Sequence, residues 1–593
     1  MTEEYDILIR NAIIVKGTGE KPFTGSIGLL GDKVSAVGDV RGDAKKEIDA
    51  TGLTAVPGFI DAHSHNDTMI LWYPKCESYV MQGVTTFIGG QCGGSPAPLG
   101  DEIGIPGRLG EYLMEFVPHK YRTERTLYPK RQVNEWMKQK FGWTIDWTTM
   151  GEFFDKVEKT GISMNYAPLV GHGTIRTLVM GENYKRHSTK VEQAEMKGLI
   201  QQAMEEGCIG MSAGLDYDPD VFADTTEIHD HVSLLKDYRG IYCPHWRRTG
   251  RRRDIGMGFR RPEKIAGIHE CIETSRVTGV PVHFAHLTTG WYTEPTGSDL
   301  IDEANIKSTL EVFDRAREEG IDATYDVIPF FVEGGFSVLP YLCSLLVPWL
   351  RELGSREALA RWLKVPDFRE EVKEAISKGK IFWYFEYNPN TNPRWAENIK
   401  ITKCVSPDCD WKLLAQIASQ RRKDPMEVFF DLITEDPDTR GVVTAERAGT
   451  RFELFYKNPA GMVGLDTSAR YDKLQAEHPP YSIPGINTFS AFPIFFKKYV
   501  NEEKIFTVEE AVQKTSTSAA RVHGLKGRGI IDTGCYADIV LMDLPGLQIL
   551  GDPVEPRRYP RGIEYVLVNG VPVVEAAKHT MATPGHILKK TRD

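Results

Sequence analysis

Apolar residues near the start of the chain fall in short runs, DILIRNAIIV, GSIGLLG, KVSAVGDV and LTAVPGFI, separated by Gly, Asp and Lys. Runs of this length, part alternating and bounded by turn formers, predict β-strands. The same texture returns near the other end in YADIVLMDL, EYVLVNG and VPVVEA. Between them, the strand-like runs VTTFIGG, NYAPLVG, CIGMSAG, GIYCPH, VPVHFAH and DATYDVIPF alternate with amphipathic stretches such as VEQAEMKGLIQQAMEEG. That alternation predicts a parallel sheet, open or closed, with helices packed on it. Two stretches break the rhythm. Residues 101–146 are rich in aromatic and basic side chains, and residues 336–455 hold helix-like segments that read as an insertion late in the series. The predicted organisation is a small β-sandwich built from residues 1–57 and 520–593, with residues 58–519 as a separate unit carrying both insertions.

Charge and composition narrow the partners. A formal net charge of -10 over 593 residues argues against nonspecific nucleic-acid or anionic-membrane binding and favours solubility. No uninterrupted apolar run approaches the ~20 residues of a membrane span, and the opening MTEEYDILIR is acidic where a signal peptide is basic. Nine scattered cysteines form no framework and fit reduced thiols in a cytoplasm. Cys404 and Cys409 lack the second pair that a zinc knuckle needs. A cytoplasmic enzyme acting on a small molecule, without nucleic-acid or membrane partners, is expected.

The chemistry concentrates at the ends of the predicted strands. In PGFIDAHSHND, His63 and His65 stand two apart at the end of an apolar strand, so both imidazoles share one side and can converge on one ion. Cys92, in QGVTTFIGGQCGGSPAP, follows a β-rich run among glycines, and a thiolate is a soft ligand that favours zinc over magnesium or calcium. His245 ends the run GIYCPH. His283 and His286, in VPVHFAHLTTG, have an odd spacing and cannot share a strand face; His286 at the loop boundary is the ligand candidate and His283 the core histidine. Asp466, in GMVGLDTSA, adds a carboxylate that can hold a water and accept its proton.

These segments resemble the amidohydrolase superfamily, and within it the D-aminoacylase (N-acyl-D-amino-acid deacylase) branch. DWTTMGEFF, LVGHGTIR, GCIGMSAGLDYDP, KTSTSAARVHGLKGRGIIDTGCYADIVLMDL and YPRGIEYVLVNG share in the likeness. The resemblance implies a (β/α)8 barrel of the TIM type flanked by the small β-sandwich. It also implies Zn2+ as cofactor, as one or two divalent ions with Mn2+ as the alternative, and a homo-oligomer. It assigns a tight metal site to Cys92, His245 and His286 and a second site to His63, His65 and Asp466, with Cys92 shared. Asp466 is then general base and general acid, and His172 polarises the carbonyl.

The likeness fails where an amino-acid carboxylate is recognised. His286 is followed by Leu287 and Thr288 where the branch has Leu-Lys, and Asp326, Val327, Ile328, Pro329 and Phe330 replace Asp-x-Tyr-Pro-Tyr. His478, Pro479 and Pro480 lack the arginine of His-Pro-Arg. Lys, Tyr and Arg donors are gone while the metal ligands stay. The expected substrate is therefore amide-like or a neutral ring, lined by Phe330, Ile328, Thr288 and Arg176. A cyclic amide or imide fits, as does a cyclic 1,3-diketone opened by C–C hydrolysis (cyclohydrolase chemistry). The alternative is an N-acyl-D-amino-acid deacylase whose clamp has moved to Arg176, Arg247, Arg248 or Arg470. A non-catalytic assembly protein is the remote reading, opposed by the presence of every ligand type.

Overall fold

The computed structural model describes residues 4–104, 127–216, 219–247, 263–289, 298–329, 337–340, 342, 346, 349, 353, 355–378, 389, 393–406, 409–443, 451–473, 485–552 and 555–590. The opening runs become β1 (Glu4–Ile14), β2 (Phe23–Leu30), β3 (Lys33–Gly38), β4 (Asp43–Asp49) and β5 (Thr54–Pro57). The predicted strand LTAVPGFI divides at Gly58: its first half is β5 and its second half, β6 (Phe59–Asp61), starts another sheet. A Cβ at Gly58 would lie 2.2 Å from Thr85 Oγ1, so only glycine lets the chain cross here.

β6 is the first of eight parallel strands. The others are β7 (Val84–Gly89), β8 (Asn165–Gly171), β9 (Gly210–Gly214), β10 (Ile241–His245), β11 (Val282–Phe284), β12 (Ala323–Val327) and β13 (Gly461–Val463). They pair in chain order, each with the next. Every residue of β7, β8, β9 and β10 is buried, as expected for strands covered on both faces. Helices Lys190–Glu205, Glu263–Thr278 and Asp299–Glu318 fill the connections between successive strands. The seam between β13 and β6 closes just past their carboxyl ends: Asp466 N donates to His63 O at 2.8 Å and His65 N to Thr467 O at 2.8 Å. Ser64 and Thr467 form a parallel bridge in the same seam. This is the TIM-like α/β barrel, and its closing hydrogen bonds run through the predicted ligand segments.

Strands from the far end, β14 (Ile539–Met542), β15 (Ile563–Val568), β16 (Val571–Glu575) and β17 (Lys578–His579), join β1–β5 in one nine-stranded sheet. Its order is β17-β16-β15-β14-β5-β1-β2-β3, with β4 also paired to β1. Ile9, Ile14, Ile27, Leu29, Ile539 and Leu541 make its core. Between β12 and β13 the chain builds a unit with a core of its own, in which Leu359, Val372, Ile401, Phe429, Leu432 and Ile433 are buried. Three short antiparallel strands, Ser337–Val338, Ile399–Lys403 and Arg440–Val443, belong to it. Among the described residues, no helix is long and apolar enough to cross a membrane.

Candidate metal centre

All six predicted ligands stand at the carboxyl ends of barrel strands, where such folds build their sites. His63 and His65 follow β6, Cys92 follows β7, His245 ends β10, His286 follows β11 and Asp466 follows β13. Three of them leave their strands in the left-handed region: Cys92 at φ 55°, His286 at φ 36° and Asp466 at φ 52°. Non-glycine residues adopt such angles at a cost and keep them where surroundings over-determine the backbone. Hydrogen bonds from across the barrel supply those surroundings for two of the three. Asp466 N is held by His63 O, and His286 N donates to Asp326 Oδ1 at 2.9 Å.

The side chains converge. Cys92 Sγ lies 3.5 Å from His63 Nε2, 3.4 Å from His245 Nδ1 and 3.6 Å from His286 Nε2. Asp466 Oδ1 lies 3.0 Å from His65 Nε2 and 3.4 Å from His63 Nε2, and its Oδ2 lies 3.9 Å from His286 Nε2. His63, Cys92 and His286 form one group able to hold an ion, and His63, His65 and Asp466 form another, so His63 stands between the two. Burial opposes ionisation of Cys92, but the His63 and His245 imidazoles overcome it and hold the thiol well below its ordinary range. Asp466 is likewise opposed by burial and drawn well below the carboxylate range by His286, His63 and His65. A thiolate and a carboxylate ringed by imidazole nitrogens are the donor set of a zinc-type site. The histidines are buried, whereas a quarter of the Asp466 side chain stays exposed.

Two carboxylates that the strand pattern did not single out hold this ring in place. Asp61 Oδ1 accepts from His63 N at 3.1 Å and Leu465 N at 2.9 Å, tying both sides of the barrel seam. Burial lifts its carboxyl to about 7 against those two donors. Asp326 accepts from His286 N and from His283 Nε2 at 3.2 Å, and its Oδ2 lies 3.5 Å from His63 Nδ1. Burial opposes its ionisation, and His63 and His283 together keep it well below the carboxylate range. His283 is buried between Asp326 and Thr324 Oγ1 at 2.9 Å, a core position rather than a ligand one. The signal for Asp326 lies in its place, the last but one residue of β12, level with the other strand ends.

The remaining predicted residues do not join the ring. His172 begins the helix after β8 and turns Nδ1 to Asp220 Oδ1 at 2.8 Å and Nε2 to His231 Nδ1 at 3.0 Å. Arg176 is fully buried. Its guanidinium serves Pro219 O at 3.4 Å, Arg186 O and Met180 Sδ, beside Glu227, and so packs a loop instead of facing the cluster. Arg247 is similarly engaged with Leu215 O, Val221 O, Ala223 O and Glu270. Thr288 lies two residues past His286, half-buried, and Ile328 directly after β12, buried. Phe330 and Arg248 lie outside the described residues.

Comparison with known proteins agrees with this architecture. The model of the amidohydrolase family matches residues 46–236 and 483–574. The N-acyl-D-glutamate deacylase of Alcaligenes xylosoxydans xylosoxydans is 25% identical over 599 residues, covering 100% of this chain and 98% of its own. A D-aminoacylase structure, described by the role of its binuclear metal centre, superposes with a TM-score of 0.68 at 23% identity, covering 99% of this chain and 100% of that one. The N-acyl-D-glutamate deacylase of Bordetella bronchiseptica, complexed with zinc and a phosphonate inhibitor, gives 0.67 at 23% identity with coverage of 99% and 100%. The chain is similar to hydrolases of the amidohydrolase superfamily. Among them it is similar over its full length to the D-aminoacylases.

Proposed function

We propose that this ring holds one or two divalent ions, zinc first, and hydrolyses a neutral amide-like substrate without a free carboxylate. Cys92, His245 and His286 would hold one ion, and His63, His65 and Asp466 the other, with Cys92 Sγ close enough to His63 to be shared. The donor set fits: the Cys92 thiol and the Asp466 carboxylate each meet three of the four buried imidazoles at 3.0–3.9 Å, an arrangement that suits a bound cation. A divalent ion there would supply Lewis-acid activation of a carbonyl and of water. Asp466, partly exposed, takes the proton of the attacking water at a carboxylate oxygen and returns it to the leaving nitrogen. In a cyclic 1,3-diketone the same proton would go to the enolate carbon.

The observation that carries the choice of a neutral substrate is the engagement of Arg176 and Arg247 with backbone carbonyls and glutamates. A substrate carboxylate buried without a partner costs on the order of several kcal/mol. A second reading, deacylation of N-acyl-D-amino acids, is favoured by full-length similarity to the N-acyl-D-glutamate deacylase. It would need another clamp. Arg470, buried over the Tyr73 ring at 5.1 Å, keeps Nε without a hydrogen bond among the described residues.

The test is turnover by zinc-loaded enzyme on N-acyl-D-amino acids, neutral cyclic amides and cyclic 1,3-diketones, with Asp466→Asn as control. The expected result is turnover of neutral substrates that falls by roughly 100-fold or more in Asp466→Asn. Turnover of only the acylated amino acids, abolished by Arg470→Met, selects the second reading.

A further inference from the structure

A second cluster of ligand atoms lies apart from the ring and shares none of its residues. His172 Nε2 faces His231 Nδ1 at 3.0 Å and Glu227 Oε1 at 3.4 Å, and the three atoms lie within 4.8 Å of one another. All three residues are fully buried. The far nitrogen of each imidazole is fixed by an acceptor: His172 Nδ1 by Asp220 Oδ1 at 2.8 Å, and His231 Nε2 by Gln193 O at 3.3 Å. Hydrogen bonds of that kind set the tautomer that presents a lone pair on the other nitrogen, as in carboxylate–histidine–metal triads. Glu227 Oε2 accepts from Ser188 Oγ at 2.5 Å, which leaves Oε1 as the oxygen turned to the histidines. Oε1 makes no hydrogen bond among the described residues, with Arg176 Nη1 3.5 Å away.

Charge points the same way. Asp220 and Glu227 are two carboxylates against the single guanidinium of Arg176, so the buried group calls for one more positive charge, from an ion or from a proton on His172. We propose that His172, His231 and Glu227 form a separate zinc site that ties the helix His172–Met180 to the helix Thr225–Ser233. Two imidazole nitrogens and one carboxylate oxygen are a zinc donor set, with a fourth position for water. The rival occupant is a proton on His172, shared between Asp220 and Glu227. The inference does not rest on the proposed catalytic function, because the site has no ligand in common with the ring.

The two occupants are told apart by metal content in a chain whose ring is disabled. Cys92→Ser combined with His63→Ala removes ligands from both groups of the ring. The purified full-length variant is dialysed against buffer with a weak chelator, and its zinc is measured by mass spectrometry. The expected result is about one zinc per chain retained, and lost on adding Glu227→Gln or His231→Gln. X-ray absorption of the retained zinc is expected to show imidazole and oxygen neighbours without sulfur, a readout that needs no further substitution. The proposal is overturned if the background folds, by circular dichroism and elution volume, yet keeps no zinc. It is also overturned if the zinc it keeps has a sulfur neighbour or ignores both added substitutions.

Discussion

Asp326, which the strand pattern did not single out as part of the site, braces two of the ring histidines. It fixes the His286 backbone through Oδ1, while Oδ2 meets His283 and lies 3.5 Å from His63 Nδ1. The nearby Asp326 carboxylate favours a proton on His63 Nδ1 electrostatically, which leaves the lone pair on Nε2, the nitrogen that faces Cys92 and Asp466. Asp326→Asn keeps the volume but replaces one acceptor oxygen by a donor. It is expected to weaken zinc binding by roughly 10–100-fold, measured by competition with a chromogenic chelator. Unchanged affinity would mean that packing alone orients His63. Cys92→Ser acts on the same readout from inside the ring. It replaces a thiolate, already held well below the ordinary thiol range, by a hydroxyl, so its loss of zinc is expected to exceed that of Asp326→Asn.

The turn after β7 shows how neighbouring elements shape one ligand. Gly93 follows Cys92 at φ 76°, and a Cβ there would lie 2.4 Å from Asp220 Oδ2 and 2.5 Å from Gly214 N. Its own N–H donates to Ser212 Oγ at 2.9 Å, and its carbonyl accepts from Thr174 N at 3.0 Å. Gly93→Ala is expected to displace the turn, lower the thermal midpoint and release zinc. Gly142→Ala is the control: it has the same φ of 76° at a helix end, with nothing within 4 Å of a Cβ. That control carries only the backbone penalty of about 1 kcal/mol, so equal zinc loss in both would remove the role given to crowding. The strands around this turn were legible because each is a short, doubly buried apolar run, and the ligands because each is a polar residue where such a run stops. The charged strand DAKKEID was not legible: most of it is exposed, and only Ile48 is buried. The change of unit between residues 57 and 58 was legible, but LTAVPGFI read as one strand, because the break inside it depends on a distant Thr85. Asp61 and Asp326 were hidden for a similar reason. A carboxylate inside a strand is distinguished only by backbone donors brought to it from across the barrel.

The eight-stranded barrel has its ligands at one end, and the last described segment of the chain lies against the other. Residues 585–590 run beside the start of β8: Gly585 N donates to Ile162 O at 2.8 Å, Tyr166 N to His586 O at 2.9 Å and Leu588 N to Tyr166 O at 2.7 Å. Lys590 N reaches Gly207 O at 2.9 Å, and Ile587 is buried in the main core. Gly585 is held so closely that a Cβ would lie 2.1 Å from Met164 O. Burial of Ile587 alone contributes about 1.5–3 kcal/mol, and loss of the segment would leave Tyr166 N without its acceptor. In barrels of this kind the amino-terminal face carries stability and the carboxyl-terminal face carries chemistry. Removal of residues 585–593 is therefore expected to lower the thermal midpoint by several degrees, while zinc content and turnover per zinc-loaded chain at 25 °C stay within about twofold. Calorimetry and assay of the truncated chain check both halves. A truncated chain that melts like the full one would show that the segment lies on the barrel without supporting it. One that folds but loses zinc would show that the strand β8 transmits strain from this face to the turn at Cys92.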